Sequence, residues 1–204
     1  MKKKLVLIAL VTLTTLPLAG FAGAFEVDPF HFGRGCLATW ERDAGEPGQK
    51  GDLKQFGLYL QKLTASADFA AAGVRNMLIL PMPAASLNTL AFDISGFPWE
   101  TNFGVANGYC GAGAPRFNVV SGAGGTCFLG CVHGTKTQDT QTGWWEIRFD
   151  APFSAFPGCE SGVNGNVTSI SIVFDEGTDV GPGNVVIDNI RINNEVVGVP
   201  RGGG

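Results

Sequence analysis

One aspartate interrupts an apolar pattern near the end of the chain. Residues 185–192 read Val-Val-Ile-Asp-Asn-Ile-Arg-Ile, and their period-two alternation is typical of a half-buried strand. Counted by that alternation, Asp188 falls on the apolar face that it shares with Val186, Ile190 and Ile192. A carboxylate in such a place is unfavourable unless it is paired, hydrogen-bonded or bound to a cation. Asp188 is therefore the first residue to which we assign chemistry.

The loop before this strand contains three further carboxylates, on Asp175, Glu176 and Asp179, with glycines at positions 177, 181 and 183. Calcium accepts about six to eight oxygen ligands in loose geometry, and glycines let a loop fold around it. The sequence thus predicts a structural calcium site that includes Asp188. Two alternatives stay open: Asp188 accepts backbone N–H groups of the adjoining turn, or it pairs with Arg116 or Arg191. Arg191 falls on the opposite face by parity, which weakens that pairing.

The chain has five cysteines, an odd number, so at least one thiol has no partner within the chain. We predict a Cys110–Cys131 disulfide, which would close a loop of about twenty residues and stabilise by roughly 3 kcal/mol. Cys36 is the predicted leftover thiol. A metal site at Cys127, Cys131 and His133 is the alternative, but it lacks the haem attachment spacing and needs another cysteine ligand.

Aromatic side chains suggest a sugar platform, because their faces stack on the apolar face of a pyranose. The candidates are Trp144, Trp99 and Tyr109. Trp144 is preferred, since it lies opposite the core parity predicted for Trp145, Ile147 and Phe149, which predicts exposure. The alternative is that the tryptophans are buried between two sheets.

Support for catalysis is thin. The chain has two histidines and no Gly-x-Ser-x-Gly elbow. Glu146 lies mid-strand beside Trp144 and could serve in glycoside cleavage, which requires a pair of carboxylates. The sequence does not select the second carboxylate.

The elements that must position these residues are short strands. Leu87–Ile94, Gly143–Phe149 and Val167–Phe174 alternate apolar and polar residues, and turn signals separate them at short spacing. Residues 65–72 are alanine-rich and could form a helical turn, although eight residues make a marginal helix. We count eight or nine strands without regular strand–helix alternation. The predicted fold is an all-β, two-sheet antiparallel jelly-roll sandwich.

The first 24 residues predict a signal peptide, with three lysines, an apolar run and a small-residue cleavage site. We divide the rest into an N-terminal strand or arm with a polar loop (25–54), a β-sandwich (55–199) and a flexible tail (200–204). The mature chain carries 11 basic and 18 acidic residues, a formal net charge of −7. That acidic balance argues against nucleic acid as a partner. We expect a secreted, periplasmic or extracellular protein without a membrane span after cleavage.

The closing run 185–192 resembles the last strand of galactose-binding-like jelly rolls, which include many carbohydrate-binding modules. Residues 110–119, 128–131 and 174–179 also resemble segments of secreted bacterial β-proteins. The likeness spans roughly residues 55–199. In such modules an aspartate of the last strand often helps to hold calcium, which implies that role for Asp188. They take a second acidic ligand from near the N-terminus, for which Asp28, Glu41 and Asp43 are candidates without a motif.

Three functions follow. The first is a secreted, non-catalytic module that binds a saccharide or cell-envelope glycan and requires no cofactor. The second is a structural or assembly protein of the cell surface, with protein partners and no small ligand. The third and least favoured is a small hydrolase.

Overall fold

The computed structural model describes residues 26–48, 55–64, 68–75, 80–95, 110, 113–122, 125–175 and 183–197. Within these ranges the protein is built from strands and three short 3-10 turns, at Ala84–Ser86, Cys131–His133 and Phe153–Ala155. The strands are, in chain order, β1 (Glu26–Phe32), β2 (Cys36–Glu41), β3 (Gly57–Lys62), β4 (Phe69–Arg75), β5 (Met82–Pro83), β6 (Thr89–Ile94), β7 (Arg116–Ser121), β8 (Gly125–Gly130), β9 (Thr135–Gln138), β10 (Trp145–Asp150), β11 (Asn166–Phe174), β12 (Gly183–Ile192) and β13 (Glu195–Val197).

The strands form two antiparallel sheets. Sheet A has the order β1-β4-β11-β7-β8, with β5 beside β11. Sheet B has the order β2-β3-β12-β6-β10-β9, with β13 beside β12. The all-β, two-sheet antiparallel prediction is confirmed. The described residues hold more strands than the eight or nine expected.

The core lies between the sheets and follows the alternation seen in the sequence. Sheet A contributes Ile170, Ile172 and Phe174 of β11, each fully buried. Sheet B contributes Leu90, Phe92 and Ile94 of β6, and Ile147 and Phe149 of β10. The rings of Phe92 and Phe117 meet across the core, with centroids 5.4 Å apart. Burial of these side chains supplies the main driving force for the sandwich.

The N-terminal part is integrated into both sheets. Strand β1 pairs with β4 along seven residue pairs, and β2 pairs with β3 along six. The sandwich therefore includes residues 26–41, which the sequence placed in a separate strand or arm. Residues 69–72 belong to strand β4, so the helical turn expected there is wrong. Strand β4 pairs with β1 on one side and with β11 on the other, and this pairing holds Ala70, Ala71 and Ala72 in an extended conformation.

Strand β12 contains a β-bulge that changes the parity of its second half. Asp188 is opposite Asp93, but the next paired residue, Arg191, is opposite Ala91. Asn189 has a φ of 45°, in the left-handed region. The extra residue reverses the alternation. The prediction that Asp188 shares a face with Ile190 and Ile192 is therefore wrong, as is the placement of Arg191 on the opposite face.

Two disulfides join the loops around β8. Cys110 is bonded to Cys131, as predicted, and Cys127 is bonded to Cys159. Cys36 is free and buried, which confirms it as the leftover thiol. Its burial raises the pKa of the thiol, and the nearby Asp68 raises it further. In the part of the chain that is described, none of the helices has the length and apolar character needed to cross a membrane.

Candidate functional site

A cleft of about 400 Å³ opens on the side of sheet B that faces away from the core. Its lining residues come from the loop after β2, from β6, β9, β10 and β12, and from the β9–β10 turn. They are Glu46, Pro47, Gly48, Asp93, Thr137, Gln138, Asp139, Trp144, Glu146 and Arg191. Most of these side chains are polar or charged, so the cleft is suited to a hydrophilic ligand.

Three carboxylates form a row across three neighbouring strands, and two of them, on Asp93 and Glu146, line the cleft. Asp188 of β12 is opposite Asp93 of β6, which is opposite Glu146 of β10. Thr137 of β9 continues the row beyond Glu146. Neighbouring strands lie about 4.8 Å apart, and like charges directly opposite one another repel. The row therefore needs compensating donors.

Arg191 supplies most of this compensation. Its Nη1 donates to Oδ1 of Asp93 at 3.0 Å and to Oε2 of Glu146 at 2.7 Å. Its Nη2 donates to Oδ2 of Asp93 at 2.7 Å. The side chain of Asp93 is only 7% exposed and that of Arg191 is 23% exposed. The bulge makes this pairing possible, because it turns Arg191 to the same face as the carboxylates.

The bulged residue itself is the second donor. The side-chain amide of Asn189 donates to Oδ2 of Asp93 at 2.6 Å and to Oε2 of Glu46 at 2.8 Å. Asn189 is 3% exposed, so both bonds lie out of water. A left-handed conformation is tolerated better by asparagine than by most residues. The bulge thus places Arg191 on the face of the sheet that carries the carboxylates, and it also supplies the buried amide of Asn189.

The loop after β2 closes one side of the cleft and is fixed to the carboxylate row. The backbone N–H of Glu46 donates to Oδ2 of Asp188 at 2.8 Å, and the Thr142 hydroxyl donates to Oε1 of Glu46 at 2.7 Å. Gly45 allows this close approach, since a Cβ there would lie 2.6 Å from the Phe56 carbonyl oxygen and 2.7 Å from Oδ2 of Asp188. Glu46 is consequently 6% exposed although it lies in a surface loop.

Trp144 forms part of the cleft wall. Its neighbour Trp145 packs against the core, which confirms that the two indoles point to opposite sides of the sheet. Trp144 is only 8% exposed, so the prediction of an openly exposed platform is wrong. Its backbone N–H donates to the Thr142 hydroxyl at 3.3 Å, within the turn that also contacts Glu46. The packing of this turn limits the indole surface that a ligand could reach.

The outer rim of the cleft carries hydrogen-bond acceptors. Oδ1 of Asp139 accepts the backbone N–H of Gln141 at 2.7 Å, as expected for an aspartate that starts a tight turn. Glu146 accepts Arg191 through Oε2 and has a side chain that is 30% exposed. Outside the cleft on the same face, Arg148 donates two bonds to Asp150, which lowers the pKa of that carboxyl.

The calcium ligands predicted from the sequence divide between separate networks or lie outside the described residues. Oδ1 of Asp188 accepts the N–H of Asn189 at 2.7 Å, and Oδ2 accepts that of Glu46, so these backbone donors come from the bulge and from a distant loop and not from the adjoining turn. Asp175 forms a bidentate ion pair with Arg116. Glu176 and Asp179 lie outside the described ranges, as do Trp99 and Tyr109. The described residues contain no group of three His, Cys, Asp or Glu arranged to hold a metal, and the calcium site stays a prediction.

Glu46, Asp93 and Asn189 had no role in the site predicted from the sequence, and Arg191 was considered there only as a partner of Asp188. Their contacts join residues about 45 to 145 positions apart, so they depend on strand pairing and loop placement. The parity of β6 did place Asp93 on the side away from Leu90, Phe92 and Ile94. The adjacent Asp188-Asn189 pair was the only local indication of a bulge.

Comparison with known proteins finds a remote similarity of this chain to solved structures. No family model and no curated protein matches the chain. Among solved structures, the chain is similar to the family 11 carbohydrate-binding module of the cellulosomal cellulase Lic26A-Cel5E of Clostridium thermocellum. The identity is 15%, the match covers 88% of this chain and 91% of that one, and the TM-score is 0.43.

A family 11 module from the same organism, in complex with a β-1,3-1,4-mixed-linked tetrasaccharide, is similar at 16% identity. That match covers 87% of this chain and 94% of the other, also with a TM-score of 0.43. At this level of similarity the ligand of one protein cannot be assigned to the other, so the function is argued from the residues of the cleft.

Proposed function

We propose that the protein is a secreted, non-catalytic module that binds a saccharide in the cleft of sheet B. The observation that carries the proposal is the convergence of one indole and several polar side chains on the same 400 Å³ space. Sugars offer hydroxyl groups to polar side chains and an apolar ring face to an aromatic wall. Thr137, Gln138, Asp139 and Glu146 supply the polar groups, and Trp144 supplies the aromatic wall.

The framework of the cleft is ordered before any ligand arrives. Glu46, Asp93 and Asn189 are nearly buried and hold one another through hydrogen bonds of 2.6 to 2.8 Å. Arg191 adds three further bonds from the cleft floor. Side chains that are already fixed lose little conformational entropy on binding, which favours recognition of a weakly apolar ligand.

A hydrolase is the second candidate, because Asp93 and Glu146 lie opposite one another on neighbouring strands. Glycoside cleavage needs one carboxyl group that donates a proton to the leaving oxygen. Both oxygens of Asp93 instead accept hydrogen bonds from Arg191, and its side chain is only 7% exposed, so Glu146 is the one member of the pair that is open to a ligand. The arrangement therefore supports binding better than acid catalysis.

Other features agree with a secreted role. Two disulfides suit an oxidising compartment, and an acidic chain is a poor match for nucleic acid. The expected partner is a glycan of the cell envelope or surroundings. If no glycan binds, a structural or assembly role with a cell-surface protein becomes the preferred function.

A blocking substitution tests the proposal. Thr137 is exposed and lines the cleft, and Thr135 is exposed on the same strand and face but outside the lining. Thr137→Trp should fill the cleft and weaken binding at least about tenfold, equivalent to about 1.4 kcal/mol. Thr135→Trp is the matched control and should bind like the wild type.

Calorimetry with β-1,4-glucan, β-1,3-1,4-mixed-linked glucan, xylan, an α-glucan and amino-sugar oligomers gives the binding constants, and thermal melts report folding. Equal binding by wild type and Thr137→Trp would place the ligand elsewhere. Absence of binding to the entire panel would reject the module. Release of new reducing ends from any of these glycans would establish the hydrolase instead.

A further inference from the structure

We infer that the cleft selects saccharides that carry protonated amino groups, such as oligomers of β-1,4-linked glucosamine. This inference rests on the proposed function and specifies its ligand class. The evidence comes from the charge of the cleft lining, from the hydrogen-bonding groups left open and from the aromatic wall.

The described part of the cleft lining is acidic. Among its described residues, four carry a carboxylate (Glu46, Asp93, Asp139 and Glu146) and one carries a guanidinium (Arg191), which gives this set a formal net charge of −3. In a partly water-excluded site such charges interact more strongly than in bulk water, so the cleft attracts cations and disfavours anionic sugars.

The charged groups of the described lining that remain open to a ligand are acceptors. Arg191 uses Nη1 and Nη2 on Asp93 and Glu146, and the Asn189 amide is engaged by Asp93 and Glu46. In the part of the chain that the structure describes, Glu146 and Asp139 each use one carboxylate oxygen in hydrogen bonds. Their second oxygens are available to a ligand, and an ammonium group provides three donors and no acceptor.

Trp144 is the aromatic residue of the wall, with 8% of its surface exposed. A cation beside an aromatic ring gains a favourable electrostatic interaction, which increases when water is excluded. Trp144 and Glu146 line the same cleft, so an ammonium group bound by the carboxylate would lie near the exposed part of the indole. Uronic and sulfated sugars, in contrast, would bring negative charge toward four carboxylates.

Three hexasaccharides with the same β-1,4 linkage separate charge from shape. The glucosamine hexamer carries ammonium groups in weakly acidic buffer, the N-acetylglucosamine hexamer carries neutral amides, and the glucose hexamer carries hydroxyls. We expect the glucosamine hexamer to bind at least about tenfold more tightly than the other two at low salt. Raising the salt to about 0.5 M should weaken that preference, since salt screens exposed charges.

Two variants test whether the preference for the glucosamine hexamer arises from the cleft. Glu146→Gln removes one negative charge and retains the size of the side chain, so it should reduce the preference for the amine severalfold. Glu160→Gln is the matched control, because Glu160 is exposed and lies outside the cleft lining. Equal loss in both variants would show a non-specific effect of net charge and overturn the inference.

The outcomes separate this inference from the proposed function. Tight binding of the neutral hexamers with equal or weaker binding of the amine would retain the saccharide module and reject the cation selectivity. Binding of the amine that survives Thr137→Trp would reject the cleft as its site. No binding of any of the three, and none across the wider panel, would reject the proposed function itself.

Discussion

Replacing Arg191 should reveal how strongly the carboxylate row depends on its guanidinium. Arg191→Met keeps most of the aliphatic stem and removes the guanidinium. Asp93 would then keep the Asn189 amide but lie opposite both Asp188 and Glu146 without the three hydrogen bonds that Arg191 gives to Asp93 and Glu146. The change should destabilise the folded state, because it leaves nearly buried charge uncompensated.

The magnitude follows from the exposure of the pair. Breaking a fully buried ion pair costs about 3 to 5 kcal/mol, whereas exposed pairs contribute about 1 kcal/mol or less. The side chain of Asp93 is 7% exposed and that of Arg191 is 23% exposed, which places this pair near the buried limit. After a reduction for solvent screening we expect a loss of about 2 to 4 kcal/mol, or roughly 5 to 12 °C in melting temperature.

The matched control is Arg148→Met on the same face of the sheet. Arg148 pairs with Asp150, and their side chains are 40% and 55% exposed, so the expected loss is below about 1 kcal/mol. Denaturant unfolding at neutral pH measures both free energies of unfolding.

The reasoning is refuted if Arg191→Met loses no more stability than Arg148→Met, because the nearly buried pair and the exposed pair would then contribute alike.

Two further predictions concern the loop and the central aspartate. Gly45→Ala should destabilise by about 1 to 3 kcal/mol and weaken glycan binding, because its Cβ would lie 2.6 Å from a carbonyl oxygen and 2.7 Å from the Asp188 carboxylate. Gly122→Ala is the control, with its nearest atom at 3.7 Å, and thermal melts that showed equal effects would contradict this explanation. Asp188→Asn should lower the melting temperature through loss of charge-assisted bonds to two backbone N–H groups, while EGTA should leave the wild type unchanged. A rise in wild-type melting temperature on adding calcium would instead establish the site predicted at Asp188, Asp175, Glu176 and Asp179.

Local alternation was sufficient to predict the faces of the regular strands. Leu90, Phe92 and Ile94 of β6 share a face because side chains in an unbroken strand alternate. The same argument separated Trp144 from Trp145 correctly. It did not predict the low exposure of Trp144, which depends on the turn that follows β9 and on contacts from a loop about 100 residues earlier.

The bulge in β12 could not be read from its apolar pattern. Val-Val-Ile-Asp-Asn-Ile-Arg-Ile fits an uninterrupted strand, and the alternation then assigns Asp188 and Arg191 to opposite faces. The Asp-Asn pair was compatible with a left-handed residue, but so are many such pairs. Glu46 was out of reach for a different reason: its loop is rich in glycine and proline, and only tertiary contacts fix where it lies.

The bulge also determines which kinds of inherited change the protein can tolerate. A substitution at Asn189 alters one amide and leaves Ile190 and Ile192 in the core. Deletion of the same residue would remove the bulge and restore regular alternation, with Arg191 still opposite Ala91 and both isoleucines still in the core. The deletion would remove the amide that bonds Asp93 and Glu46, but it would not change the face of any later side chain. Insertion of one further residue after Asn189 would instead turn Ile190, Arg191 and Ile192 to the other face, because a shift of one residue reverses every side chain that follows. At this point of the strand a gain in length is therefore far more damaging than the loss of the bulged residue.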